Sequence, residues 1–273
     1  MHARLDGLGR RIRTNDVVVT MRLASLASSA TLVALSACGG SADEAATERE
    51  PTTETPARIT APQAGAEGRC RPGKHSLRVG AGREAVMRVT AGTRGGGKAL
   101  ILALHGANSG GAGGGLYAFR GAWKVPGVVM VAPASKGSTW SYLSGSDVDL
   151  PVVQRALTQA FARCRINPRL VAVGGFSDGA SYALTLGLTN GDRFRAIIAL
   201  SPGGAFAPDR VGKPRVFVAH GTADPVLPIE RTSDRIVRSL RNDGYTVTYR
   251  RFKGVHEVRP EIAGAAVRWF LRN

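Results

Sequence analysis

Short apolar runs alternate with helical patterns from residue 78 onward. Runs that are apolar throughout are typical of strands buried on both faces of a sheet, and amphipathic stretches at helical spacing follow them. The strand candidates are 99–106, 127–134, 170–176, 196–203, 215–221 and a more edge-like 245–252. The helix candidates are 147–163, 178–188, 229–240 and 261–271. The alternation predicts an α/β fold of three layers, with a mostly parallel central sheet and helices on both faces.

The composition fits one globular domain. Hydrophobic residues make up 43% and charged residues 21% of the 273 positions, which are ordinary values for a soluble protein and exclude global disorder. We find no internal repeat and no second domain. Several α/β folds reach this length with a single core once the ends are trimmed.

The segment MRLASLASSATLVALSACGG at 21–40 has the layout of an export signal. A short basic start at Met21-Arg22 precedes an apolar stretch that is too short to span a bilayer comfortably. Its end, Leu35-Ser36-Ala37-Cys38, resembles the bacterial lipobox. That resemblance implies cleavage before Cys38 and diacylation of its thiol. The alternative is a buried N-terminal helix with an incidental cysteine. Met21 begins a complete signal by itself, so the start at Met1 or Met21 stays open.

A polar run follows the cysteine. From Ser41 to Pro62 the chain is rich in Ala, Ser, Thr, Asp and Glu, which is typical of a flexible tether. We therefore expect a leader at 1–37, a flexible acidic tether at 38–68 and a folded domain at 69–273. The protein would be exported and held by lipid at the cell membrane, on its periplasmic or extracellular side.

Two cysteines remain if Cys38 carries lipid. Cys70 and Cys164 form an even pair, and an exported protein meets an oxidising compartment, so we predict a disulfide between them. The alternative is two buried free thiols. Neither residue has a second cysteine or a histidine at metal spacing, and we expect no metal.

The formal net charge of +17 is large. The basic residues are scattered along the sequence without a helical stripe or interleaved aromatic residues, which argues against nucleic-acid binding. Attraction to an anionic membrane or cell-wall surface is the better functional explanation, and compositional bias without function is the alternative.

One G-x-S-x-G motif, formed by Gly175, Ser177 and Gly179, lies between a predicted strand and a predicted helix. A nucleophilic serine on a strained strand-to-helix turn needs glycines two residues to either side, because larger side chains would collide across the turn. The place of this short motif between a strand and a helix is the one that a nucleophilic serine on such a turn requires.

A serine nucleophile needs a base, and the base needs an orienting acid. Asp224 follows one predicted strand and His256 follows the last, in the chain order Ser, acid, His. His220, inside its strand end, is interpreted as structural. Backbone N–H donors for an oxyanion are expected at Asp178, after the serine, and at Ala107, in the loop LHGANSGG at 104–111.

The glycine-rich run 110–115 could suggest a phosphate-binding loop. It lacks the lysine and hydroxyl residue of the G-x-x-x-x-G-K-[ST] motif, so we expect no nucleotide and no cofactor.

Residues 97–273 resemble an α/β-hydrolase of the esterase type. They are similar to carboxylesterase/lysophospholipase-like proteins and to the polyhydroxybutyrate-depolymerase and feruloyl-esterase-like group. The segments that carry the likeness are LHGANSGG, VAVGGFSDGASYAL, AIIALSPGG, FVAHGTADPVLP and GVHEV. The resemblance implies an α/β-hydrolase catalytic domain with Ser177 as nucleophile, Asp224 as acid, His256 as base, and oxyanion donors at Ala107 and Asp178.

Details around the motif bear on the substrate. Asp178 stands where related enzymes often carry Gln, Asn or Ala. No large cap insertion lies between Ser201 and Val216, so we expect an open site for short-chain or polymeric esters. Trp140 and Tyr142 could line an acyl or aromatic pocket, or could only pack the loop.

The predicted function is that of a lipid-anchored serine esterase acting on small-molecule or polymeric esters, as a monomer. The alternatives are another serine-hydrolase chemistry, such as a peptidase or thioesterase, and a non-catalytic surface lipoprotein that uses the scaffold for binding.

Overall fold

Eight strands form one sheet in the computed structural model of the chain, which describes residues 58–60, 70–80, 82–109, 111–143 and 146–272. The strands are β1 (Gly73–Arg78), β2 (Glu84–Val89), β3 (Lys98–Leu104), β4 (Val128–Pro133), β5 (Ile166–Phe176), β6 (Ala196–Leu200), β7 (Arg215–Gly221) and β8 (Val247–Phe252). Their order across the sheet is β1-β2-β4-β3-β5-β6-β7-β8. The pairs β1–β2 and β2–β4 are antiparallel and the others are parallel.

In the described residues, five α-helices cover the two faces of the sheet. They are α1 (Ala112–Ala118), α2 (Leu150–Arg163), α3 (Asp178–Thr189), α4 (Ser233–Asn242) and α5 (Pro260–Leu271). Helices α2, α3 and α4 contribute to the core on one face, and α1 and α5 to the core on the other. Every residue of β3 is buried, as its continuous apolar sequence predicts. The predicted three-layer, mostly parallel α/β architecture is confirmed.

Three elements were not among the predicted strands and helices. The antiparallel strands β1 and β2 extend the sheet beyond the predicted strands, and α1 contains part of the glycine-rich run. A Cβ on Gly115 would lie 2.2 Å from the Ala103 carbonyl oxygen, and one on Gly114 would lie 2.4 Å from that of Ser109. The glycines are therefore needed because α1 lies against the end of β3.

The predicted disulfide between Cys70 and Cys164 is present and closes a separation of 94 residues. It ties the start of β1 to the end of α2, and a loop of this length corresponds to about 4–5 kcal/mol in the chain-entropy account.

Three residues of the predicted tether contact the folded domain. The side chain of Ile59 is buried, and its N–H donates to Asn190 Oδ1 at 2.7 Å. The guanidinium of Arg58 pairs with Asp192 at 2.8 Å, and Thr60 exchanges hydrogen bonds with Gln154. The leader, Cys38 and the rest of the tether lie outside the described residues. Within the described residues, none of the helices is long and apolar enough to span a membrane.

Candidate active site

Ser177 lies on a strained turn between β5 and α3. Its backbone has φ 55° and ψ −119°, a conformation that non-glycine residues rarely adopt. A Cβ on Gly175 would lie 2.3 Å from the Gly179 carbonyl oxygen, and a Cβ on Gly179 would lie 2.3 Å from that of His105. Both motif glycines are therefore required by close backbone contact, and the turn lifts the serine hydroxyl above the sheet.

The structure brings Ser177, Asp224 and His256 together at the carboxyl ends of β5, β7 and β8. His256 Nε2 lies 2.9 Å from Ser177 Oγ, and His256 Nδ1 lies 2.6 Å from Asp224 Oδ2. These distances allow the imidazole to accept the hydroxyl proton while the carboxylate fixes its tautomer. The arrangement can activate a serine hydroxyl as a nucleophile.

The carboxylate of Asp224 stays ionised although it is buried. Burial by itself raises the pKa of Asp224, but the Leu227 N–H, the His256 ring and the Val226 N–H together outweigh it and hold that pKa below its usual value. The two N–H groups donate to Oδ1 at 2.8 and 2.9 Å. Oδ2 is thereby left to face His256.

A second histidine contacts the same carboxylate. His220 Nε2 lies 3.0 Å from Asp224 Oδ2 and 2.9 Å from the Leu227 carbonyl oxygen, while Nδ1 lies 2.6 Å from Ser233 Oγ. Because Nε2 faces two acceptors, it carries the proton and donates. Burial lowers the pKa of His220, so the ring is neutral. The sequence interpretation of His220 as structural missed this contact, since only the fold brings the ring against Asp224.

The loop after β3 lies directly beside Ser177. A Cβ on Gly106 would lie 3.4 Å from Ser177 Cβ, which places the next residue, Ala107, at the rim of the site. The Asn108 N–H donates to the Ser138 carbonyl at 2.8 Å, and Ser109 Oγ donates to the Gly106 carbonyl at 2.6 Å, so the loop is fixed. Asp178 is the first residue of α3, where backbone N–H groups have no acceptor within the helix. Both predicted oxyanion donors therefore lie next to the serine.

The Asp178 carboxylate holds the loop that carries Tyr142. Its Oδ2 accepts the Trp140 N–H at 3.0 Å, and its Oδ1 accepts the Tyr142 hydroxyl at 3.2 Å. Burial and the Asp178 charge raise the pKa of Tyr142, so the phenol stays protonated. The half-buried Tyr142 ring stacks on Tyr182 and lies 5.8 Å from the ring of the exposed Phe206. Tyr142 thus lies beside Asp178, the residue that follows the serine, and its role in a substrate pocket stays a prediction.

Trp140 does not line the substrate side, and the structure corrects that prediction. Its side chain is 3% exposed, its indole N–H donates to the His105 carbonyl at 2.8 Å, and its ring stacks on Tyr182. Trp140 packs in the core and supports the loop there, because burial of its large apolar ring stabilises the fold.

Asp149 is a supporting residue that the sequence analysis did not identify. Its fully buried carboxylate accepts the N–H groups of Lys136 and Ser141, at 2.7 and 2.9 Å, and pairs with Arg83 at 2.6 Å. Together with Asp178, it fixes the loop between β4 and α2. In the sequence, its position before a helix indicates only a helix-capping role.

A groove of about 570 Å³ opens beside His256. Gly113 and Gly114 of α1 line it, together with Tyr117, Phe176 and Val258. The Phe176 ring lies 4.8 Å from the His256 ring, so one wall of the groove lies next to the imidazole. Sequence patterns gave no sign of it, because its walls come from distant segments. In the described part of the chain, no cluster of residues could hold a metal ion.

Comparisons with known proteins agree with this geometry. Residues 149–268 match the model of the phospholipase/carboxylesterase family, and no curated protein matches the sequence. The structure is similar to esterase PE8, with a TM-score of 0.56 and 25% identity over 68% of this chain and 96% of that one. It also resembles the carboxylesterase of Bacillus cereus (TM-score 0.52, 17% identity, 70% and 94% covered). A third neighbour is the fluorophosphonate-binding serine hydrolase F of Staphylococcus aureus (TM-score 0.61, 12% identity, 74% and 100% covered).

The fold is therefore that of an α/β-hydrolase with little or no cap, since residues 201–214 join β6 to β7 without a helix or strand. The family match and the esterase neighbour support a hydrolase.

Proposed function

We propose that the protein is a serine esterase that hydrolyses carboxylic esters through an acyl-enzyme, with Ser177, His256 and Asp224 as its catalytic residues. The observation that carries the proposal is the continuous contact from Ser177 Oγ through the His256 ring to Asp224 Oδ2. An accidental cluster would have no need for a strained serine backbone.

The chemistry follows from the positions of these atoms. Ser177 Oγ attacks the ester carbonyl carbon, and its proton moves to His256 Nε2. The backbone N–H groups of Ala107 and Asp178 stabilise the oxyanion. When the C–O bond breaks, Nε2 returns the proton to the leaving alcohol and the acyl group stays on Ser177. A water molecule, activated by the same imidazole, then releases the acid and restores the serine.

The two sides of the site take different parts of the ester in this proposal. The leaving oxygen must reach His256 Nε2 to be protonated, so the alcohol portion lies on the imidazole side. The groove bounded by Tyr117, Phe176 and Val258 lies on that side, because Phe176 contacts the His256 ring. The acyl portion lies toward Tyr142 and Phe206, on the Asp178 side. Because the site has no cap over it, esters of short acids and of polymers have access.

Turnover of p-nitrophenyl esters tests the assignment. We expect hydrolysis of short acyl esters by the wild-type chain, and a loss of at least about a thousand-fold in Ser177→Ala. Parallel assays with anilides and thioesters distinguish an esterase from a peptidase or thioesterase. A folded wild-type protein that cleaves none of these substrates would leave the binding scaffold as the better explanation.

We also propose export and lipid anchoring through Cys38, supported by the lipobox-like sequence. Membrane fractionation of wild type and Cys38→Ala tests it. Equal membrane association of the two proteins would contradict lipidation at this residue.

A further inference from the structure

Basic residues that are scattered in the sequence lie together at the amino ends of the parallel strands, opposite the active site. In a parallel sheet, segments that precede strands meet at one edge and segments that follow them meet at the other. Seven cations lie at the amino-end edge and are called the basic edge here: Arg94, Lys124, Arg165, Arg195, Arg215, Arg268 and Arg272. The first four each precede one strand, β3, β4, β5 and β6 in that order. Arg215 is the first residue of β7, and Arg268 and Arg272 lie at the end of α5.

Direct contacts show that the basic edge is continuous. Arg94, Lys124, Arg268 and Arg272 line one cleft of about 540 Å³, and no acidic residue of the described chain lines it. The Arg215 guanidinium donates to the Arg272 carbonyl at 3.0 Å, and the backbone N–H of Arg215 donates to the Arg195 carbonyl at 3.2 Å. A neighbouring cleft joins Arg94 to Arg165.

The charges of the basic edge are not neutralised within the described residues. None of the seven forms an ion pair with a carboxylate there. Two nearby carboxylates are engaged elsewhere, Asp192 with Arg58 and Asp243 with Arg210. The Nε atoms of Arg94 and Arg195 are buried without any partner. An unpaired group of this size attracts a polyanion.

The position at which the N-terminal segment joins the folded domain indicates which polyanion the basic edge would bind. Arg58 joins the folded domain at the end of α3, where it contacts Asp192 and the Thr189 carbonyl. This is the same edge of the sheet, so the segment that links Cys38 to the domain joins it on the side that carries the cations. A lipid chain combined with a basic surface is a known pair of membrane signals.

We propose that the basic edge docks the protein on an anionic phospholipid bilayer, with the active site facing away from the membrane. The interaction is electrostatic and involves no groove or specific headgroup. It is independent of the proposed esterase activity, because it involves none of the residues of the site.

Vesicle sedimentation tests the proposal. The full chain with Cys38→Ala, which removes any acyl chain at that residue, is mixed with vesicles of phosphatidylcholine alone or in equal mixture with phosphatidylglycerol, at low and high salt. We expect binding only to the anionic vesicles, and its loss at high salt. Adding Lys124→Gln, Arg268→Gln and Arg272→Gln should weaken binding roughly 100-fold, from about 1 kcal/mol for each charge.

A matched control keeps the same net charge. Lys136→Gln, Arg231→Gln and Lys253→Gln remove three exposed cations from the carboxyl-end edge, and this variant should bind almost as wild type does. Equal weakening by both triple variants would overturn the proposal, since net charge alone would then explain binding. Binding to neutral vesicles as strong as to anionic ones would also overturn it. If the protein bound a short DNA duplex more tightly than anionic vesicles, and the triple variant of the basic edge lost that binding, the basic edge would be a nucleic-acid site instead.

Discussion

The carboxylate of Asp224 is held by four donors, and one of them is the buried His220. His256 and His220 share Oδ2, while the Val226 and Leu227 N–H groups take Oδ1. A carboxylate fixed in this way cannot rotate away from the His256 ring. In the proposed esterase mechanism, His220 would therefore be a positioning residue that acts on the serine through Asp224 and His256.

Replacing His220 with Gln should lower kcat about ten-fold with little change in KM, because the carboxylate loses a donor but the substrate contacts remain. The pH profile of kcat should shift as well, since the imidazole–carboxylate contact loosens. Steady-state kinetics with a short p-nitrophenyl ester across pH measures both.

Ser233→Ala is the matched control, because it removes the hydrogen bond at the other nitrogen of the same ring and leaves the Nε2 contact with Asp224. It should destabilise the fold but retain more activity than His220→Gln. Equal losses of kcat in the two variants would show that the ring has only a structural role.

Among the elements, α1 shows how close packing overrides intrinsic preference. Three consecutive glycines disfavour a helix. Gly114 and Gly115 are nevertheless required, because α1 lies so close to β3 and the loop after it that side chains there would not fit. Gly113 differs from its neighbours. A Cβ there would meet nothing within 4 Å and would point into open space, although the residue lines the groove beside His256.

Gly113→Leu should therefore fill the groove without straining the helix. We expect kcat/KM for esters of bulky alcohols to fall about ten-fold or more, with methyl and ethyl esters unaffected. The measurement is a series of acetate esters with alcohols of increasing size, beside a series of methyl esters with acids of increasing size.

Gly95→Leu provides the control, because Gly95 also has open space around it but lies in the loop before β3, away from the site. Selective loss in the acid series would mean that the groove binds the acyl portion, contrary to our assignment.

Much of the fold and of the site could be predicted from the sequence because the central strands are buried on both faces. The run 99–104 is apolar throughout, and such runs mark central parallel strands, two of which end just before Ser177 and Asp224. His256 follows β8, an edge strand that was predicted from its alternating pattern instead. Strands β1 and β2 carry polar residues on exposed faces and gave no such signal. The groove, the His220 contact and the role of Asp149 depend on segments that only the folded sheet brings together.

At the scale of the whole molecule, two buried neutral histidines link stability to pH. Burial lowers the pKa of His105 as it does that of His220. Below about pH 6.5, the usual histidine pKa, the unfolded chain binds protons at these positions while the folded chain does not. The free energy of unfolding should then decrease as the pH falls. The lowered pKa of Asp224 acts in the same direction at more acidic pH.

Urea denaturation at about pH 8 and about pH 5.5 measures this effect. His105→Asn should reduce the difference in unfolding free energy between the two conditions, although it lowers stability at both. Lys136→Gln keeps both histidines and should leave the difference unchanged. An undiminished difference in His105→Asn would contradict the assignment.

The length of β7 sets the distance between the two ends of the molecule. The strand begins at Arg215 on the basic edge and ends just before Asp224, and seven residues at about 3.3 Å each separate the two by roughly 20 Å. That is about 2.5 times the Debye length at physiological salt, so the surface charge of a bilayer would be largely screened at the serine. An enzyme docked in this orientation would take its esters from the surrounding medium, and the acyl chains of the membrane beneath it would remain out of reach.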